Sequence, residues 1–92
     1  MTTVFVGDIG TLIVLDCGTD ISTGTVFAIE ARKPTGAKVT WTATLDGTRK
    51  IQYAVQAGDL DVAGKWFIQA YVEMPGWSGR GEIVAMPVSK VA

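Results

Sequence analysis

Asp59 and Asp61 stand two residues apart in a short polar stretch, close enough to suggest a calcium site or an acid–base pair. The spacing serves neither chemistry well. Glycoside hydrolysis needs two carboxyl groups facing each other across a bond, which neighbours in one turn do not supply. Calcium takes about six to eight oxygen ligands, and no run in the chain offers them. Turn capping through the aspartate side chains is the expected role. The single cysteine, Cys17, follows an apolar run and precedes Gly18, with no basic residue beside it to favour a thiolate. It reads as a structural thiol and cannot form an intrachain disulfide. The chain has no histidine, so His-dependent activation of a serine or cysteine nucleophile is absent and zinc sites built on His and Cys are disfavoured. The expectation is a non-enzyme with no cofactor, no metal and no small-molecule substrate.

Residues suited to binding are more prominent. Gly76-Trp77-Ser78-Gly79-Arg80 places a tryptophan and an arginine on a glycine-rich loop, and these two types are enriched at binding hot spots. Trp77 either presents itself to a partner or folds back over one end of the core. Phe67 and Tyr71 share one face of a strand and form a second aromatic patch, a partner surface if nothing within the chain covers them. Arg32, Lys33 and Lys38 make a basic tip around Pro34, either a solvated turn or a contact for an acidic partner. The candidate partner-binding set is therefore Trp77, Arg80, Phe67, Tyr71, Arg32 and Lys33.

The elements that must position these residues are strands. In 92 residues, 48% are hydrophobic and 18% charged, enough apolar content for one domain with a modest core. Eight basic and nine acidic residues leave a net charge of −1, which makes no case for nucleic acid or an anionic membrane. The N-terminus lacks the pattern of a signal peptide, and no apolar run approaches the roughly 20 residues of a membrane helix. A soluble protein made without export is expected. β-Branched residues alternate with polar ones, the period of half-buried strands. Strands are predicted at residues 4–6, 11–16, 26–32, 39–45, 50–55, 66–73 and about 81–91. In the fourth, Val39, Trp41, Ala43 and Leu45 take the inner face and Thr40, Thr42 and Thr44 the outer, so Trp41 is core. Asp46-Gly47 signals a hairpin. Residues 57–61 read as one helical or 3₁₀ turn, and residues 74–79 as a turn-rich loop. Pro87, lacking a backbone donor, demands a sheet edge or a bulge. About seven short strands with closely spaced turns favour an antiparallel β-sandwich, with a small closed barrel as the competitor.

The stretch Leu60-Asp61-Val62-Ala63-Gly64-Lys65-Trp66-Phe67-Ile68 resembles the corner before strand F of immunoglobulin-type domains, with Trp66 in the aromatic place and Ile68 where antibody domains carry cysteine. A wider likeness runs through Val6-Gly7-Asp8-Ile9-Gly10, Asp20-Ile21-Ser22-Thr23-Gly24-Thr25-Val26 and Arg32-Lys33-Pro34-Thr35-Gly36 to the Leu60–Trp66 corner. In order and spacing these segments resemble the N-terminal domain of phage baseplate upper proteins. That family's domains are immunoglobulin-like modules of tailed-phage virions and commonly attach a fibre, spike or receptor-binding part to the particle. The resemblance implies an all-β, immunoglobulin-like antiparallel sandwich spanning residues 1–92. It further implies a virion structural protein, made in the host cytoplasm, that docks onto other virion proteins and its own copies. Because the family's domain usually heads a longer protein, a 92-residue chain is expected as a baseplate or tail, neck or collar, or head accessory subunit. A carbohydrate- or cell-surface-binding module, stacking sugars on Trp77, Tyr71 and Phe67, is the alternative.

Overall fold

The computed structural model of the chain describes residues 4–91. The described residues hold eight strands: β1 (Val4–Phe5), β2 (Leu12–Asp16), β3 (Val26–Arg32), β4 (Lys38–Thr42), β5 (Thr44–Asp46), β6 (Lys50–Ala54), β7 (Gly64–Met74) and β8 (Trp77–Ser89). They form a five-stranded sheet in the order β1-β8-β7-β3-β4 and a three-stranded sheet in the order β2-β6-β5. The two sheets make a curled, sandwich-like arrangement and not one closed barrel. Every pairing is antiparallel except β1 with β8, which runs parallel through Val4↔Val88 and Phe5↔Ser89.

Alternation places the core between the sheets. Trp66, Ile68, Ala70 and Val72 of β7 are buried, and Ile29 and Ala31 of β3 join them. Ile13 and Leu15 of β2 and Ile51 of β6 close the core from the other layer. Trp41 is buried, as its position in the alternating run predicts. Its ring stacks between those of Tyr53 and Trp66, with centroids 5.1 and 6.1 Å away. Aromatic pairs at such separations add stabilisation beyond their buried area.

Three local expectations are corrected. The run over residues 39–45 is two strands, because the chain leaves the five-stranded sheet at Thr42 and enters the three-stranded sheet at Thr44. Ala43 bridges the two sheets and donates its N–H to the Phe27 carbonyl at 2.9 Å. Alternation continues through the crossing, so the sequence pattern carries no mark of it. Residues 57–61 hold no helix. The chain turns there through a Gln56 carbonyl to Asp59 N–H bond of 3.1 Å, with Gly58 at φ 84°. Residues 74–79 are not a loop: Met74 pairs with Trp77 across a two-residue Pro75-Gly76 turn, and β8 starts at Trp77. Proline presets the first turn position and Gly76, at φ 77°, supplies the second.

Pro87 stands opposite Lys65 in the β7–β8 register, and among the described residues the pairing of β8 with β1 begins one residue later, at Val88. The bulge lies elsewhere. Gly81 and Glu82 together oppose Ala70, between the pairs Tyr71↔Arg80 and Gln69↔Ile83. The Gln69 side-chain amide donates to the Gly81 carbonyl at 2.8 Å, occupying an acceptor at this irregularity.

Candidate functional site

The outer face of the five-stranded sheet gathers four of the six expected binding residues. Phe67 and Tyr71 project outward from β7, opposite the buried Trp66–Val72 set. Register then places Arg32 of β3 beside Phe67 and Arg80 of β8 beside Tyr71. Arg80 reaches across β7 to Glu30 of β3. Its Nε donates to Oε1 at 2.6 Å and its second guanidinium nitrogen to Oε2 at 3.1 Å. The guanidinium carbon also lies 4.9 Å from the centroid of the Tyr71 ring. Hydrogen bonding from Arg80 holds the Glu30 carboxyl below its ordinary range, opposed in part by desolvation. A surface pair of this kind adds little stability. Its bidentate geometry instead fixes the face across three strands.

Beside that pair lies a shallow hollow of about 570 Å³, lined by Glu30, Arg32, Lys38, Phe67, Arg80 and Ile83 among others. Phe67 is 42% exposed and Ile83 64% exposed, large values for apolar side chains near the middle of a sheet face. Cations border them. Arg32 stands directly opposite Lys38 in the β3–β4 register, and Lys65 lies two residues from Phe67 on the same side of β7. Like charges directly opposite on neighbouring strands are destabilising. Neither Arg32, Lys38 nor Lys65 has a carboxylate within salt-bridge distance among the described residues.

Trp77 and Lys33 are placed elsewhere. Trp77 shares its side of β8 with Gly79 and lies opposite in phase to Arg80, so the Trp–Arg pair is not assembled. Its ring rests on its own strand, with Cζ2 2.5 Å from where a Cβ on Gly79 would stand. It is half exposed and does not close the core. Lys33 is committed to the corner before β7, where its Nζ meets Asp61 Oδ2 at 2.8 Å and lies 5.8 Å from the Trp66 ring centroid. That ion pair pulls the Asp61 carboxyl below its ordinary value. The corner is closed further by the Trp66 indole, whose Nε1 donates to the Val62 carbonyl at 2.9 Å.

The chemistry-bearing residues of the sequence take local roles. Asp59 caps its turn by accepting the Gln56 N–H at 2.8 Å and also accepts the Tyr53 hydroxyl. Burial, reinforced by that carboxylate, pushes Tyr53 up to about 12. Burial and the nearby Asp16 likewise raise the Cys17 thiol, which opposes thiolate chemistry. Among the described residues, no three histidine, cysteine, aspartate or glutamate side chains gather to hold a metal ion.

Ile83 and Lys65 belong to the face but not to the expected set. Lys65 falls in phase with Phe67 once β7 starts at Gly64 and not at the predicted residue 66, whereas Ile83 escapes a reading of sequence alone. Alternation counted from Arg80 would put Ile83 on the other side of β8. The extra residue at Gly81–Glu82 reverses the phase and brings the two together. The face as assembled sets exposed apolar side chains beside Arg32, Lys38 and Lys65, with the Glu30–Arg80 pair at its border. In comparisons with known proteins, the chain matches no protein-family model, no curated protein and no solved structure.

Proposed function

We propose that this chain is a non-enzymatic docking module of a tailed-phage virion, an immunoglobulin-like domain that binds other virion proteins and its own copies. The observation that carries the docking reading is the exposed Phe67–Ile83 pair, ringed by Arg32, Lys38 and Lys65, outside a sheet whose inner face is already packed. Exposed apolar surface rimmed by polar groups marks interaction sites on soluble proteins. The immunoglobulin-like reading is supported by the strand orders β1-β8-β7-β3-β4 and β2-β6-β5. These parallel a sheet built around strands G, F and C facing one built around B, E and D. The Trp66 to Val62 hydrogen bond also supports it, with an indole N–H serving at the corner where a tyrosine hydroxyl serves in antibody domains. The virion setting rests on the likeness to phage baseplate upper proteins.

A carbohydrate platform would need Trp77, Tyr71 and Phe67 on one surface. Trp77 lies on the opposite side of its sheet from the other two, which favours docking to protein. Mass spectrometry of particles purified from a phage encoding the chain tests the proposal. The expected result is the chain at a fixed stoichiometry to the major structural proteins, with Phe67→Glu lowering its incorporation. Absence from purified particles would overturn the virion assignment. A glycan-array signal lost in Trp77→Ala would replace docking with the carbohydrate reading.

A further inference from the structure

The outer face of the three-stranded sheet is also left apolar. Leu12 is 55% exposed and Val14 is exposed beside it on β2, with Ala54 exposed on β6. The charges here have the opposite balance. Asp16 of β2 and Asp46 of β5 both stand in register with Lys50 of β6, so the row across the sheet carries two carboxylates and one ammonium. One side of the sandwich therefore presents Phe67 and Ile83 with Arg32, Lys38 and Lys65. The other presents Leu12 and Val14 with a net negative row.

We infer that these two faces bind each other in successive copies, the five-stranded face of one copy stacking on the three-stranded face of the next. This rests on the docking reading above and names one partner as a second copy of this chain. Face-to-face stacking of sheets buries apolar side chains in a layer about 10 Å thick, as within a sandwich. Stacking sets Asp16 and Asp46 within reach of Arg32 and Lys38, a like-charge pair with no carboxylate within salt-bridge distance among the described residues. The broad side of the molecule, 46 × 24 Å, can supply the roughly 800 Å² per partner that a stable contact uses. A net charge of −1 leaves little long-range repulsion between copies. Because the two faces lie on opposite sides of the molecule, the contact is head-to-tail. It extends into a ring or a filament and does not end at a two-fold dimer.

Sedimentation velocity on the full chain across a concentration series tests the inference. Wild type should form species beyond a dimer, weakened by added salt. Arg32→Glu/Lys38→Glu and Asp16→Lys/Asp46→Lys should each reduce association by at least roughly tenfold, since like charges then meet across the contact. An equimolar mixture of the two should recover it, because each reversed face finds its complement. A strictly monomeric wild type, or reversed variants that associate as well as wild type, would overturn the stacking. Should a variant fold poorly by circular dichroism, NMR of wild type on dilution gives an independent readout. Shifts confined to the surroundings of Phe67, Ile83, Leu12 and Val14 support the contact, and shifts confined elsewhere overturn it. A chain present in virions yet monomeric in solution overturns the stacking alone. A chain that stacks yet is absent from particles overturns the virion assignment alone.

Discussion

Two tryptophans mark opposite ends of the β7–β8 hairpin, and similar surroundings in sequence lead them to different outcomes. Trp66 follows a glycine by two residues, and Trp77 precedes one by two. Trp66 is fully buried, bonded through its indole N–H, stacked on Trp41 and roofed by Lys33. Trp77 lies half exposed along its own strand. Both side chains are on the inner side of their sheet, so facing does not separate them. Coverage does. Tyr53 of the three-stranded sheet continues the aromatic stack that buries Trp66. The hollow beside Trp77 is lined only by Thr25 and the hairpin's own residues. Burial of a large side chain is thus decided by what lies across the sandwich.

The largest test of this contrast is Trp66→Ala, which should cost about 3–5 kcal/mol, the range for deleting a buried aromatic. For a domain this small that corresponds to a fall of well over about 10 °C in Tm, read by calorimetry. Next is Gly64→Ala. Gly64 has φ 135°, and an added Cβ would lie 2.7 Å from Pro34 Cγ, so both backbone strain and a clash oppose it. A loss of about 1–3 kcal/mol is expected, measured by chemical denaturation. An alanine that folds as well as glycine would mean the corner is looser than the packing of Pro34 implies.

Tyr53 sharpens the same contrast through pH. Its ionisation is raised from 10 to about 12 in the fold, first by burial and then by the bond to Asp59. The unfolded chain therefore loses this proton before the native chain does. Stability from Tyr53 is complete below about pH 10 and declines as pH rises from there to about 12. Alkaline titration of thermal stability should show that decline, and Tyr53→Phe should remove it while costing about 0.5–1.5 kcal/mol at neutral pH. The smallest effect belongs to Trp77→Ala, expected below about 1 kcal/mol because half of the ring is already in water. Equal losses for Trp66→Ala and Trp77→Ala would break the comparison, since the hairpin tip would then be core.

Much of the fold is legible because half-buried strands write their period into the chain. Val39 through Leu45 and Trp66 through Glu73 show it plainly, and Trp41 is placed in the core before any contact is known. The corner at Leu60–Trp66 is legible for a related reason, since glycine and a large aromatic are needed where a chain turns tightly onto a buried strand. The binding face is legible only in part. Phe67 and Tyr71 follow from alternation along one strand. Arg32, by contrast, reads as part of a basic tip until the β3–β7 register sets it beside Phe67, and Ile83 is hidden by the bulge. Lys33 reads as an exposed cation until Asp61, distant in sequence, is brought to 2.8 Å.

By itself the sequence determined the all-β class, the alternation of inner and outer residues, and the hairpin turn at Asp46-Gly47. These are local consequences of side-chain period and backbone freedom. Only the tertiary structure decided that one continuous alternating run divides between two sheets at Ala43. It alone decided that Arg80 turns to Glu30 and Tyr71 and not to Trp77, and that apolar faces of opposite charge balance lie on the two outer sides. Those outcomes depend on which strands become neighbours, and a strand's own pattern carries no record of its neighbours.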